Sequence, residues 1–358
     1  MQADLLKGGN MWEDRLRKVL PYTPGEQPDI KNIIKLNTNE NPYPPSSMVK
    51  QAIKDFDADT LRLYPKPSIK ELRAELARYY NVCEDEVFVG VGSDDVLAMS
   101  FMAFFDGCGD LLFPDITYSF YKVWADLFGI KYKTLALDEE FKIKIEDYKR
   151  NNCGIILANP NAPTGNAMDI KEIEDLVKFN RDSVIVIDEA YIDFGAVSAL
   201  PLVKKYENIL VVQTFSKSRS MAGMRIGFAI GSKKLIKALS DVKYSFNSYT
   251  LTNLAINAGV AAVLDDVYFK THVKKIIATR EEAKKRLTKL GFSFPDSKTN
   301  FIFAKHDKKN AEDIFEYLRS KNIFVRYFKL PRIDNYIRIT IGTDEEMERL
   351  FKVLEEFI

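Results

Sequence analysis

Between residues 87 and 230, short apolar runs alternate with amphipathic stretches, and few folds accept that pattern. The runs are V-F-V-G-V-G, L-L-F-P, K-Y-K-T-L, G-I-I-L-A, S-V-I-V-I-D, I-L-V-V-Q-T-F and R-I-G-F-A-I. Segments with helical spacing, over 94–106, 118–128 and 169–180, lie between several of them. Strands that are apolar throughout are buried on both faces, and parallel neighbours need a crossover, usually a helix. The pattern predicts an α/β architecture: a mostly parallel seven-stranded sheet flanked by helices. Ligands of such sheets bind beyond the carboxyl ends of the strands, so the chemistry is expected just after the runs.

The rest of the chain divides around that sheet. Residues 1–40 carry P-Y-T-P-G-E-Q-P, too rich in proline for a stable helix, and read as an N-terminal arm lying across something else. Residues 41–270 make the large domain. Within it a helix starts near Ser46–Ser47, and Ser68 is expected to cap another, with Glu71 three residues on and Leu72, Leu76 and Tyr79 as its stripe. Residues 250–290 read as one long helical region along which the domain changes, ending at Gly291. Residues 271–358 alternate F-I-F-A-K, a helix over 310–320, I-F-V-R-Y-F, Y-I-R-I-T-I and a closing helix, the grammar of a small α+β domain.

Charge and residue usage narrow the function classes. Lys+Arg 52 against Asp+Glu 51 leaves a net charge of +1, which gives no electrostatic case for nucleic acid or an anionic membrane surface. No apolar run approaches the ~20 residues of a membrane span, and the first residues lack a signal-like run. The three cysteines have no metal-ligand spacing, and their odd number argues against a disulfide framework, so they read as reduced and the protein as cytoplasmic. Only two histidines occur, so neither a histidine-based metal site nor a Ser-His-Asp triad is expected; no metal is assigned.

The residues that follow the runs carry chemistry. Lys217 stands where I-L-V-V-Q-T-F ends, with Ser216 beside it and Arg225 eight residues on. A lysine becomes an imine-forming nucleophile when its ammonium is destabilised by burial or by a nearby cation. Arg225 supplies such a cation and can also grip a phosphate. Together they suggest a lysine linked to pyridoxal phosphate (PLP), an electron sink. A single lysine in so lysine-rich a chain is ordinarily solvated; the surrounding motif changes that reading. V-G-V-G-S-D-D follows a strand and opens a helix, so Ser93 and the first helical amides offer an anion site, although G-x-G-S is common at ordinary turns. Asp188 ends S-V-I-V-I-D, where a buried carboxylate needs a partner. A pyridinium nitrogen would serve, a metal after the strand being the alternative, and no G-x-x-x-x-G-K-[ST] supports the latter. Asn161 in N-P-N-A-P-T-G and Tyr191 could hydrogen-bond a ring hydroxyl, the alternative for the heptapeptide being a turn without chemistry, and Tyr118 could cover a ring face, although a tyrosine at a strand–helix junction is more often packing. Arg326 and Arg338 lie in small-domain strands, where a guanidinium fork suits carboxylate or phosphate.

Several motifs in one order resemble a known family. N-P-N-A-P-T-G, D-E-A-Y, S-K-S-R-S-M-A-G-M-R and R-I-T-I-G-T resemble the fold-type I PLP-dependent aminotransferases. The opening L-N-T-N-E-N-P-Y, the Y-P at 64–65 and G-V-G-S-D-D narrow this to the histidinol-phosphate aminotransferases, from about residue 20 to residue 350. The resemblance implies transamination between glutamate and imidazole acetol phosphate in histidine synthesis. A threonine-phosphate decarboxylase or an aromatic-amino-acid aminotransferase would use the same scaffold. It also implies that Lys217 carries the cofactor and shuttles the proton, that Asp188 pairs with the ring nitrogen, and that Asn161 and Tyr191 contact O3′. Ser93, Asp94, Ser216 and Arg225 fall at or beside the phosphate, and Tyr118 stacks on the ring. Tyr64 would reach the partner subunit's phosphate, hence a homodimer with shared sites. Arg326, Arg338, Tyr22 and Asn41 are placed at the substrate. Arg219 stands where many relatives carry an aromatic residue.

Overall fold

The computed structural model describes residues 12–30, 32–107 and 109–358. In chain order its strands are β1 (Ile34–Lys35), β2 (Val87–Val91), β3 (Leu111–Pro114), β4 (Tyr132–Leu135), β5 (Gly154–Ala158), β6 (Val184–Asp188), β7 (Ile209–Thr214), β8 (Ile226–Gly231), β9 (Phe292–Ser293), β10 (Phe301–His306), β11 (Ile323–Phe324), β12 (Arg326–Tyr327) and β13 (Ile337–Thr340). Seven of them form one sheet in the order β2-β8-β7-β6-β5-β3-β4. Only β8 is antiparallel to its neighbours. The apolar runs explain this arrangement residue by residue. Ile155, Leu157, Ile185, Ile187 and Val211 feed the core on one face, while Ile156, Val186, Leu210 and Val212 feed the core on the other. A strand has period two, so both faces of these strands are buried only because helices cover both. Each such Ile, Val or Leu contributes about 1.5–3 kcal/mol by leaving water.

Helices follow the strands as the spacing predicts, over Gly92–Phe104, Phe120–Phe128 and Ile170–Phe179. Ser46 caps the helix Ser47–Lys54 by accepting from the Val49 amide. Ser68, in contrast, caps nothing. The next helix begins at Lys70, its N-cap is Ile69 in a left-handed conformation (φ 49), and Glu71 pairs with exposed Lys66. The helical region over 250–290 is likewise two helices, Asn253–Leu264 and Asp266–Lys289, broken at Asp265, whose side chain accepts from the Tyr268 amide. The break separates two cores. Ala255, Ile256 and Ala258 pack under the large sheet, whereas Val273, Ile276 and Leu287 pack with Ile302, Ile337 and Ile339 of the second sheet.

That second sheet is antiparallel, in the order β12-β13-β10-β9, and β1 pairs with β11 beside it. The segment before β1 runs over the surface. Arg17 donates to the Leu127 carbonyl, Tyr22 stacks on Phe120 at 4.2 Å, and Glu26 pairs with Arg319. Arg332 ties the two sheets together, donating to Asp115 at 2.6 Å and to the Leu137 carbonyl at 2.8 Å. Cys83 is a free, exposed thiol, but Cys153 is disulfide-bonded. This corrects the all-reduced reading at Cys153. Cys108 lies outside the described residues. Among the described residues no helix is long and apolar enough to cross a membrane.

Candidate active site

Strands β2, β5, β6 and β7 end on the same side of the large sheet, and the residues that follow them meet there. A cavity of about 180 Å³ is lined by Ser93, Asp94, Tyr118, Asp188, Tyr191, Ser216, Lys217 and Arg225, with Thr38 and Glu40 completing the wall. Eight positions expected from the sequence are thus brought to one place. The Lys217 amine donates to the Thr38 carbonyl at 3.1 Å and stands 5.8 Å from the centre of the Tyr191 ring.

One end of the cavity is built for an anion. Gly92 starts the helix Gly92–Phe104 at φ +81, and a Cβ there would lie 2.5 Å from Arg225 Nη2. A Cβ on Gly227 of β8 would strike the Gly92–Ser93 backbone. The two glycines therefore let the helix start, with its open N–H groups, lie directly against Arg225. Arg225 itself has φ 53, and its guanidinium lies 3.4 Å from Ser216 Oγ and 3.3 Å from Asp94 Oδ2. That ion pair is some two-fifths exposed on each side, so it is worth at most about 1 kcal/mol. The guanidinium fork remains available to a stronger partner. Asp94 also accepts from the Tyr118 hydroxyl at 2.8 Å, which fixes the ring over the cavity.

Asp188 marks the opposite end. Its Oδ2 accepts from Tyr121 Oη at 2.8 Å and its Oδ1 from the Ala190 amide at 3.2 Å, and no ion pair reaches it among the described residues. Burial pushes its carboxyl up to about 6, against the pull of those two hydrogen bonds. Tyr121 is absent from the sequence expectations. The only trace it leaves there is its place three residues after Tyr118, one on from the start of the helix Phe120–Phe128.

Three expected residues sit elsewhere. Asn161 does not reach this cavity: its amide nitrogen donates to the Ile116 carbonyl and Thr164 Oγ1, and its oxygen accepts from Thr117. The turn it belongs to spends that amide on holding itself together, and its neighbours Pro160 and Ala162 form the wall instead. Asn41 faces the lysine turn rather than a substrate, donating to the carbonyls of Lys217 at 3.0 Å and Ser218 at 3.2 Å. Asn39, two residues earlier, makes the contact that sequence reasoning missed, donating to Tyr191 Oη at 2.8 Å. Tyr64 is 81% exposed and leans on Tyr249, away from the cavity of its own chain.

An adjoining cavity of about 290 Å³ shares Lys217, Tyr191, Tyr118 and Asp94 and adds Tyr22, Arg326 and Arg338. The two arginines are directly opposed on β12 and β13. Like charges so placed repel. Burial lowers the affinity of Arg338 for its proton; Tyr191 works against that, and Arg326 adds to it. Arg338 spends one nitrogen on the Asn37 carbonyl, while its buried Nε has no hydrogen-bond partner among the described residues. Arg326 donates to the carbonyls of Thr23 and Pro24. A dianion between the two would relieve the repulsion and satisfy the orphaned donor.

The donor set fits a flat, anionic, nitrogen-containing ring. An unpaired buried carboxylate waits at one end, a helix start and an arginine at the other, with a tyrosine face and an amine between them. The chain matches the family described as aminotransferase class I and II over residues 31–354. It is similar to the histidinol-phosphate aminotransferase of Brachyspira hyodysenteriae, with 53% identity over 94% of this chain and 95% of that one. Similarity to the histidinol-phosphate aminotransferase of Lactococcus lactis subsp. cremoris is 50% over 97% and 98%. The solved histidinol-phosphate aminotransferase of Sinorhizobium meliloti, in complex with pyridoxal-5'-phosphate, superimposes with a TM-score of 0.83 at 23% identity over 91% of this chain and 92% of that one, a likeness of fold.

Proposed function

The chain belongs to the class I and II aminotransferases, in their histidinol-phosphate branch, and from that membership we propose how its residues divide the work. The reaction is transamination between glutamate and imidazole acetol phosphate, giving 2-oxoglutarate and histidinol phosphate, in L-histidine biosynthesis. The cofactor, pyridoxal 5'-phosphate, supplies an electron sink for the carbon that loses a proton.

Everything else falls to side chains. Lys217 Nζ would be the covalent anchor and the base that takes the proton from the substrate carbon bearing nitrogen and hands it to the cofactor carbon joined to that same nitrogen. Asp188, oriented by Tyr121, holds a proton on the ring nitrogen, which is the cationic partner its burial demands. Arg225, Ser93, Ser216 and the amides at the start of the helix Gly92–Phe104 bind the phosphate. Tyr118 covers the ring. Tyr191, held by Asn39, donates to the ring oxygen. The rim closed by Tyr22, Arg326 and Arg338 excludes water and holds the substrate's phosphate. The protein acts in the cytoplasm as a homodimer in which Tyr64, projecting from its own chain, reaches the partner's phosphate site.

The observation that carries the substrate assignment is the opposed pair Arg326 and Arg338 in a cavity that also contains the amine of Lys217. Amino transfer to 2-oxoglutarate should be measured with histidinol phosphate and with phenylalanine, in the parent protein and in Arg326→Ala. If binding buries the ion pair, loss of one partner costs ~2–5 kcal/mol, so histidinol phosphate should suffer far more than phenylalanine. Equal losses would move the aromatic-amino-acid reading to the front.

A further inference from the structure

The turn that carries Lys217 is strained. Ser220 and Arg225 both adopt positive φ, 59 and 53, without being glycine. Such a backbone persists only where its surroundings over-determine it. Two restraints have been met in part: Asn41 holds the carbonyls of Lys217 and Ser218, and the Ser218 hydroxyl donates to Asp193 at 2.5 Å. The third is Arg219, two residues after Lys217.

Arg219 is 8% exposed, and no carboxylate lies within ion-pair distance of it among the described residues, although its charge is felt by Asp193 and Asp266. Its Nη1 donates at 2.7 Å to the carbonyl of Ala262, in the last turn of the helix Asn253–Leu264. The negative end of a helix suits a cation there. The guanidinium carbon lies 4.1 Å from the ring centre of Phe269, 5.1 Å from Tyr79 and 5.3 Å from Phe215. Tyr79 is held in turn, its hydroxyl donating to Asp266 at 2.6 Å. A buried cation is tolerated here because ring faces and a helix end meet it in fixed directions.

Those contacts straddle a junction. Ala262 belongs to the helix that packs under the large sheet, Phe269 to the helix that packs with the small sheet, and the break between the helices is at Asp265. The small sheet carries Arg326 and Arg338. We infer that Arg219 is a positioning residue: it fastens the lysine turn to the junction of these two helices, so that the Lys217 amine keeps a fixed place relative to the arginines that hold the substrate's anion. The inference rests on the transaminase reading and says what keeps proton transfer and anion binding in register.

The test compares parent, Arg219→Met and Arg219→Lys. Three quantities are measured: the thermal midpoint of the cofactor-free protein, the rate at which added pyridoxal phosphate becomes trappable on Lys217 by borohydride, and kcat and KM for histidinol phosphate. Arg219→Met removes the hydrogen bond to Ala262 and the cation whose charge favours the carboxylates of Asp193 and Asp266, so its midpoint should fall. Its trapping rate and kcat should fall ~10-fold at temperatures where it is folded, as expected of residues acting through packed neighbours, with KM changed by less than about twofold. Arg219→Lys keeps the cation and should recover most of the loss. Parental trapping and turnover in Arg219→Met would overturn the inference, as would Arg219→Lys falling as far as Arg219→Met. If Arg219→Met does not fold, Arg219→Lys decides alone: near-parental rates support the anchor, and a tenfold loss at an unchanged midpoint overturns it. A parent that cannot be trapped on Lys217 would instead sink the transaminase reading itself.

Discussion

Asp188 shows what the site costs the empty protein. Burial raises its carboxyl from an ordinary 3.8 to about 6, and the hydrogen bonds from Tyr121 and Ala190 do not cancel that. A carboxyl raised on folding contributes fully below its unfolded value and becomes a liability as pH climbs through the folded one. About two units correspond to roughly 3 kcal/mol. Cofactor-free Asp188→Asn should therefore be more stable than the parent at pH 8, by up to that amount, with the gap closing toward pH 4. Denaturant unfolding at the two ends measures it, and a variant less stable at pH 8 would show that Asp188 is already paired. In the loaded enzyme the same change should slow turnover by about one to two decades, since a charge-assisted hydrogen bond is worth roughly 1.5–3 kcal/mol. At this scale the sequence is legible where position follows from the strand. Asp188 and Lys217 are readable because they end or follow buried runs. Side-chain direction is not readable: Asn39, Asn41 and Asn161 lie in recognisable motifs, yet only packing decides which amide faces Tyr191, which faces the lysine turn and which is spent inside its own loop.

Elements were legible in proportion to their hydrophobic pattern. All seven runs became strands because nothing but a buried sheet accommodates residues such as Ile155 to Leu157, which alternate between two cores. Helix ends were less so, because capping is settled by a single backbone angle. Ser68 and Glu71 have capping-box spacing, but Ile69 takes the left-handed conformation and starts the helix one residue late. The pair Asp265–Asp266 looks like any polar position on a continuous helix. It becomes a break because Asn253–Leu264 and Asp266–Lys289 must bury their faces in different cores. That break is where Arg219 is anchored, which is why an arginine in a lysine motif conveys little until the helices are placed. The glycines belong at this scale too. Gly92 and Gly227 read as turn and strand residues, and only the pairing of β2 with β8 shows that Gly227 makes room for the Gly92–Ser93 backbone and Gly92 for the Arg225 guanidinium.

For the whole molecule, the large and small sheets, joined through Arg332 and the cluster of Ile116, Leu137, Phe141 and Phe303, set the amine of Lys217 opposite the arginines of the small sheet. Tyr64 is the piece that a single chain leaves unused. If it completes the partner's site, mixing Tyr64→Phe with Lys217→Ala subunits should regenerate one fully native site per mixed dimer, and activity should exceed that of either parent variant. Mixtures no better than the variants alone would confine Tyr64 to its own chain. The claim on which everything else depends is that Lys217 holds the cofactor. Protein loaded with pyridoxal phosphate, reduced with borohydride and mapped by peptide mass should carry the added mass on the peptide containing Lys217, and Lys217→Ala should carry none there or elsewhere. A label on any other lysine, or a labelled Lys217→Ala protein, would contradict the account.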